Sequence, residues 1–459
     1  MITFSLIVSL ALASPQKDGL LAIRVGRAET VSQGPIEHAV ILVENGKIVE
    51  IGEDLLVERG IPVLDRPEWV ATPGLVDCHS RSSGERYQGR AFEPQLTAAI
   101  GLDPTLERWK ELLELGVTTI GFYPDGGGIP GRAVAIKPHG DTAQEMLVDE
   151  EAYLKVFLQA TAASKKMLRE AFEKVDEYEE KVAKEREKWE KEQEKKKSKS
   201  KSKKDDDKKE EAKKDEKKDE KKEEKEDTSA VAQDPPEEKP KDEEEEKKDE
   251  KGEDKKADSK AQTGDVFVPP EPDEKVKPLL DLRHGRLSAM MSIRKAADYV
   301  HLVDVIEKEK DARWFLHSPL QDDLDLFEVA LKIGEKKLLV VTEPEVTLQP
   351  HSLRLRNIPA ELVRAGAKVA LLPREDSVKG HEDWLKDVGR LIAQGLPREA
   401  ALAAVTLEGA RALGLETRLG SLEKEKDANI VFWNGDPFEP ASRVQAVMLE
   451  GRIVHEVER

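Results

Sequence analysis

The sequence predicts an α/β chain: a barrel of parallel strands with helices outside, a small β domain drawn from both chain ends, and a long charged insertion. Three observations carry this prediction. Strand-like and helix-like stretches alternate from Val276 to Leu407. Short strands with tight-turn signals occupy both ends of the chain. A segment near 173–262 is almost wholly Lys, Glu, Asp and Ser, while its flanks have ordinary globular composition. The boundaries that follow are 1–16 for an export signal, 17–70 and 416–459 for the β domain, 71–172 and 263–415 for the barrel, and 173–262 for the insertion.

In chain order, Phe4 to Ala13 is an apolar run ending in a small-residue site, the layout of a secretory signal without the usual early Lys or Arg. It places the protein outside the cytoplasm, periplasmic or extracellular. Val40–Val43 and Lys47–Ile51 flank Asn45-Gly46, a hairpin signal because both turn positions favour positive φ. Leu106–Leu115 has helical spacing and stops at Gly116, before a strand over Val117–Phe122. Pro124 to Gly140 reads as a glycine-rich loop at the barrel top. It lacks the Gly-Lys-Ser/Thr ending of a phosphate-binding P-loop.

From Met167 to Trp189 a helix carries roughly heptad-spaced apolar residues, a coiled-coil-like stripe that thins toward Lys195. Beyond it nothing apolar is available to bury. Ordering the tract would cost about 1–2 kcal/mol per residue with no compensating burial, so disorder or partial helix held by Glu-Lys pairs is expected. The tract reads as a passive spacer or as a site for a protein partner. Strands follow at Leu287–Met291, Arg313–Leu316, Leu338–Val341 and Lys368–Leu372. Helices follow at Val276–Leu282, Ala296–Glu307, Asp322–Ile333, Ala360–Ala365, Trp384–Gln394 and Arg398–Leu407. The C-terminal strands, Ala428–Trp433, Val444–Leu449 and Arg452–Val454, turn at Asn434-Gly435 and Glu450-Gly451.

The most informative stretch is Pro73 to Arg81, PGLVDCHSR. A Pro-Gly break leads into a short apolar strand that delivers Asp77, Cys78 and His79 at its end, with His79 and Arg81 on one face. This resembles the first barrel strand of the metal-dependent amidohydrolases, where a His-x-His pair grips a catalytic metal. The run LGSLEKEKDANIVFWNGDPF resembles the same family's return into its β domain, and the glycine-rich segment resembles imidazolonepropionase-like members. The resemblance implies a (β/α)8 TIM-like barrel with a composite β-sandwich formed by both chain ends. It also implies hydrolysis of C-N bonds in cyclic amides or peptide-like substrates with zinc.

Position by position, the resemblance implies that most metal ligands are replaced. His79 and His317 match ligand histidines, while Arg81, Ser292 and Arg374 stand where a histidine, a histidine and the terminal aspartate are expected. Lys155 matches a mid-barrel lysine, with Ala160 near an expected acid, and Asp376 stands two residues beyond the aspartate position. Arginine stays protonated and has no lone pair to donate, so Arg81 and Arg374 cannot be ligands. Zinc catalysis needs three protein ligands and an open position. The expectation is therefore a degenerate metal centre that has lost its ancestral zinc, with no cofactor and little or no hydrolysis: a pseudoenzyme. The alternatives are a working hydrolase with an altered mononuclear centre built on His79, His317, Lys155 and Asp376, or an exported scaffold. A further expectation is that Arg81 and Arg374 converge to hold a small anion at the barrel mouth. His139, His284, His301, His351 and His381 lack ligand spacing and read as surface or loop residues.

The net charge of -19 argues against a nucleic-acid partner. No stretch beyond the N-terminal run suggests a transmembrane segment. Cys78 is the one cysteine, which excludes an intrachain disulfide and suits a packing role.

Overall fold

The computed structural model describes residues 19–81, 91–157, 159, 161–215, 266–319, 325–349 and 351–457, with side chains of the long helix described as far as 196. The expected export signal, Ala160 and the charged tract beyond 215 lie outside the described residues. The chain divides into two compact units, one of Met1–Asp176 with Pro272–Arg459 and one of Glu177–Glu271.

The first unit opens with β1 (Leu20–Glu29), β2 (Pro35–Glu37), β3 (Ala39–Glu44), β4 (Lys47–Glu53) and β5 (Val63–Pro73). Asn45 and Gly46 turn the β3–β4 hairpin with φ of 50° and 82°, as the sequence predicts. The barrel strands are β6 (Leu75–Ser80), β7 (Val117–Phe122), β8 (Gly128–Ile136), β9 (Leu147–Phe157), β10 (Ser288–Ser292), β11 (Arg313–His317) and β12 (Leu339–Thr342). A short hairpin, β13 (Thr347–Leu348) and β14 (Leu355–Arg356), precedes the last barrel strand, β15 (Lys368–Leu371). The chain closes with β16 (Ile430–Trp433), β17 (Val444–Leu449) and β18 (Arg452–Glu456).

Both chain ends enter one mixed sheet, ordered β18-β17-β16-β5-β1-β3-β4 with β2 on β1. The ends meet where β5 pairs antiparallel with β16, Val70 opposite Trp433. Ile23, Ile41, Trp69, Ile430 and Phe432 bury against one another in its core.

The barrel strands form a second sheet, ordered β15-β12-β11-β10-β9-β8-β7-β6. Among the described residues it departs from an all-parallel barrel at one place: β8 runs antiparallel to both β7 and β9. Much of the segment read from sequence as a glycine-rich loop is thus a strand. Its glycines answer a close approach of backbone. A Cβ at Gly128 would lie 2.2 Å from the Ala91 carbonyl oxygen and one at Gly131 2.8 Å from that of Leu96. The segment alongside bridges β8 at Phe92–Ile129 and Thr97–Arg132.

Helices α1 (Arg108–Glu114), α2 (Ala143–Met146), α3 (Ala162–Asp215), α4 (Lys277–Arg283), α5 (Ala296–Ile306), α6 (Ala330–Glu335), α7 (Ile358–Ala365), α8 (Val378–Ala393), α9 (Arg398–Ala404) and α10 (Leu407–Ala412) connect the strands. Where one helix is expected over Asp322–Ile333, the described part is a 3-10 turn, Leu326–Val329, running into α6. Helix α3 buries Leu168, Phe172 and Val175 in the first unit. Within the second unit Tyr178 donates to the Pro270 carbonyl at 2.8 Å, and the Trp189 and Phe267 rings lie 5.9 Å apart. The helix continues past the point where its apolar stripe ends. Ion pairs one turn apart, such as Glu180–Lys184 and Arg186–Glu190 at 3.1 Å each, contribute roughly 0.2–0.5 kcal/mol apiece. None of the helices among the described residues is long and apolar enough to cross a membrane.

Candidate functional site

The C-terminal ends of the parallel strands share one rim, and the candidate side chains stand there. Every residue of β6 is buried. Its entry through Gly74 is dictated by packing, since a Cβ there would lie 2.0 Å from Thr118 Oγ1. In-register pairing of β9, β10 and β11 aligns Phe157, Ser292 and His317 in one layer, with Lys155, Met290 and Phe315 in the layer beneath. The result is a cavity of about 590 Å³ whose lining includes His79, Arg81, Tyr123, Lys155, Arg294 and His317. That is an ordinary size for a small-molecule site.

His79 and His317 come together as the sequence suggests, with ring centroids 4.4 Å apart. Tyr123 stacks on the other side of His79 at 3.6 Å and 5°. The Tyr153 hydroxyl donates to the Cys78 carbonyl at 3.2 Å, so its oxygen accepts from His79 Nδ1–H at 2.8 Å. That leaves His79 Nε2 with the lone pair. His317 Nδ1 lies 3.0 Å from Ser292 Oγ. Both histidines favour the neutral form: burial first, then the coupling to His317 and the Lys155 and Arg81 charges, hold His79 well below its ordinary pKa. Burial and Lys155 push His317 down to about 3.

Lys155 has its Nζ 3.9 Å from the centroid of the Tyr123 ring and 3.5 Å from the Pro124 carbonyl oxygen. Burial lowers its pKa to about 7; Asp125 opposes the shift and Arg81 adds to it. Arg81 pairs with Asp125 at 3.1 Å. Arg294 lies over the Phe157 ring at 5.2 Å.

Arg374 corrects one expectation. It does not converge with Arg81 at this cavity; it is half exposed and pairs with Glu345 at 3.3 Å. The chain turns out after β15 so that Asp376, two residues on, faces the first barrel strand. Its carboxylate accepts from Ser80 Oγ and from the Arg81 backbone N–H, each at 2.6 Å. Arg294, not Arg374, is the further arginine lining this cavity; sequence reasoning missed it because it lies past the strand end at Ser292, where no strand period tells which way a side chain turns.

His381 is a second correction. It is not a surface residue but is buried in the first turn of α8. Its Nδ1 lies 2.7 Å from the Ser377 carbonyl oxygen, which can only accept, so that nitrogen carries a proton. Its Nε2 lies 3.0 Å from Asp77 Oδ2, a carboxylate that also accepts. The ring is therefore an imidazolium buried against Asp77. Burial works against the charge, but Asp77, the Ser377 carbonyl and Asp376 outweigh it and raise the pKa. Asp77 Oδ1 takes the His79 backbone N–H at 3.1 Å, so this pair fixes the strand end that presents His79. The other histidines read as surface residues, 139, 284, 301 and 351, are exposed.

The donor set does not fit a catalytic metal. Two imidazoles are available; Ser292 is bonded to one of them, and Asp125 and Asp376 are engaged with Arg81 and Ser80. Three cationic side chains line the same space. Among the described residues no group of three or more His, Cys, Asp or Glu is placed to hold a metal ion.

The model of the amidohydrolase family (Amidohydro_3) matches residues 366–455. Over 83 residues the chain is 40% identical to a dihydroorotase of Geobacter sulfurreducens, covering 18% of this chain and 20% of that protein. A dihydroorotase of Geobacter metallireducens is 36% identical over the same share. The chain thus spans about a fifth of the length of these curated relatives. Across nearly its whole length it superposes on an amidohydrolase from Thermotoga maritima, with TM-score 0.67, 21% identity, and coverage of 95% of this chain and 100% of that one.

Proposed function

We propose that this chain, an amidohydrolase-superfamily protein, uses its barrel mouth to bind a small anionic ligand and does not carry out metal-dependent hydrolysis. One observation supports this reading above the others. The cavity is lined by Arg81, Arg294 and Lys155 around two neutral histidines, with Asp125 the carboxylate among its lining residues and that one paired with Arg81. A surplus of guanidinium and ammonium groups favours a carboxylate or phosphate and repels a divalent cation. The imidazolonepropionase-like affinity of the glycine-rich segment belongs to the same proposal, as lineage rather than activity.

A second reading, a mononuclear centre on His79, His317, Lys155 and Asp376, draws on the approach of Asp376 to the first barrel strand. It is the weaker one, because that carboxylate already accepts two hydrogen bonds and stands next to Arg81.

Thermal denaturation with phosphate, sulfate and small dicarboxylates tests the proposal. Saturable stabilisation is expected, amounting to about 2.7 kcal/mol at a ligand concentration one hundred times Kd. The Arg294→Ala variant should lose most of it. Dihydroorotase activity, the activity in the names of the two Geobacter relatives, is expected at background. Absence of any anion effect in the unmodified protein overturns the reading.

A further inference from the structure

Two lysines are buried among the described residues, and they differ in kind. Lys426 is a structural cation: its Nζ bonds Ser421 Oγ at 2.5 Å and the Leu419 carbonyl at 3.3 Å, and pairs with Glu423. Lys155 faces the cavity, and its described contacts are a ring face and one long carbonyl contact, with no carboxylate at ion-pair distance. A buried amine stripped of anionic partners and placed beside other cations is the arrangement that activates lysine as a nucleophile.

We propose that Lys155 condenses with the carbonyl group of a small 2-oxo acid whose carboxylate is held by Arg81 and Arg294. This rests on the anion-binding reading above and adds chemistry to it. The Nζ lone pair attacks the carbonyl carbon and the carbonyl oxygen gains a proton, giving a carbinolamine. The C–O bond then breaks, water leaves, and a C=N bond forms. In sum one carbonyl and one primary amine give one imine and one water, with no oxidant or reductant. His317 and Ser292, 3.0 Å apart at the same rim, are the groups through which protons can pass.

The size and lining of the site agree with this. The cavity, about 590 Å³, admits a molecule of this size, and Lys155 lines it together with Tyr123, Ser292 and His317.

The test incubates the full chain with pyruvate and sodium cyanoborohydride at neutral pH and maps reduced adducts by peptide mass spectrometry. Labelling at Lys155 is expected at least about tenfold faster than at any surface lysine, because its amine is buried beside other cations and has no carboxylate at ion-pair distance. Excess phosphate should suppress it, Arg294→Ala should slow it, and Lys155→Arg should abolish it with the melting transition retained. If anions stabilise the protein but Lys155 is labelled no faster than surface lysines, the imine proposal falls and anion binding stands. If neither stabilisation nor selective labelling is seen, both fall. Selective labelling that phosphate does not suppress and Arg294→Ala does not slow removes the arginines from the mechanism and overturns the proposal as stated.

Discussion

Replacing Lys155 by methionine should stabilise the protein at neutral pH, by an amount that depends on pH in a set way. The ammonium is buried without a carboxylate partner, and its pKa falls from 10.5 to about 7. A base whose folded pKa is lowered binds fewer protons folded than unfolded between those two values. Its penalty is therefore complete below pH 7 and disappears as pH rises to 10.5. At 1.36 kcal/mol per pKa unit, the full penalty is about 5 kcal/mol and about 4 kcal/mol of it remains at pH 7. Methionine fills similar volume under the Tyr123 ring without a charge and keeps a favourable contact between sulfur and the ring. Urea denaturation of both proteins at half-unit steps from pH 6 to 10 measures the effect. The Lys155→Met advantage should be several kcal/mol at pH 6 and shrink with a slope near 1.4 kcal/mol per pH unit above 7. An advantage that does not vary with pH, or a variant less stable throughout, would show that Lys155 is held as a stable cation and would refute the reasoning.

The His381→Gln variant leaves Asp77 without its buried countercharge and should cost about 3–5 kcal/mol, read by urea denaturation at pH 6. Because the folded pKa of His381 is raised, its contribution is complete below pH 6.5 and fades as pH climbs through the folded value; the variant should lack that alkaline loss. The Gly74→Ala variant must push its Cβ against Thr118 and should destabilise by about 1–3 kcal/mol, a drop in urea midpoint at unchanged slope. The Tyr153→Phe variant deprives His79 Nδ1 and the Cys78 carbonyl of a shared partner, for a loss of about 1–3 kcal/mol by the same assay.

The strands and helices that the sequence announces are those with local punctuation. Gly116 and Gly366 close α1 and α7 with φ of 85° and 100°, and Asn45-Gly46 and Glu450-Gly451 turn their hairpins through positive φ. Strand β8 is hidden because its glycines serve a neighbouring backbone rather than a turn, and glycine in a sequence looks the same in either role. At the site, His79, Lys155, Ser292 and His317 are legible because each lies on a strand at a position that the resemblance to the amidohydrolases marks. Residues after the strand ends are not. Arg374 and Asp376 exchange places because the chain leaves β15 in a loop, where no period tells which side chain turns inward. His381 is legible only once α8 is docked, since its partner Asp77 lies 304 residues away in sequence.

Zinc content after equilibration of the full-length protein with the metal and exhaustive desalting tests the central claim most directly. The arrangement of Arg81, Arg294 and Lys155 around His79 and His317 predicts zinc far below one equivalent, with no change in melting temperature on adding chelator. One tightly held equivalent, lost together with stability in the His79→Ala and His317→Ala variants, would contradict it.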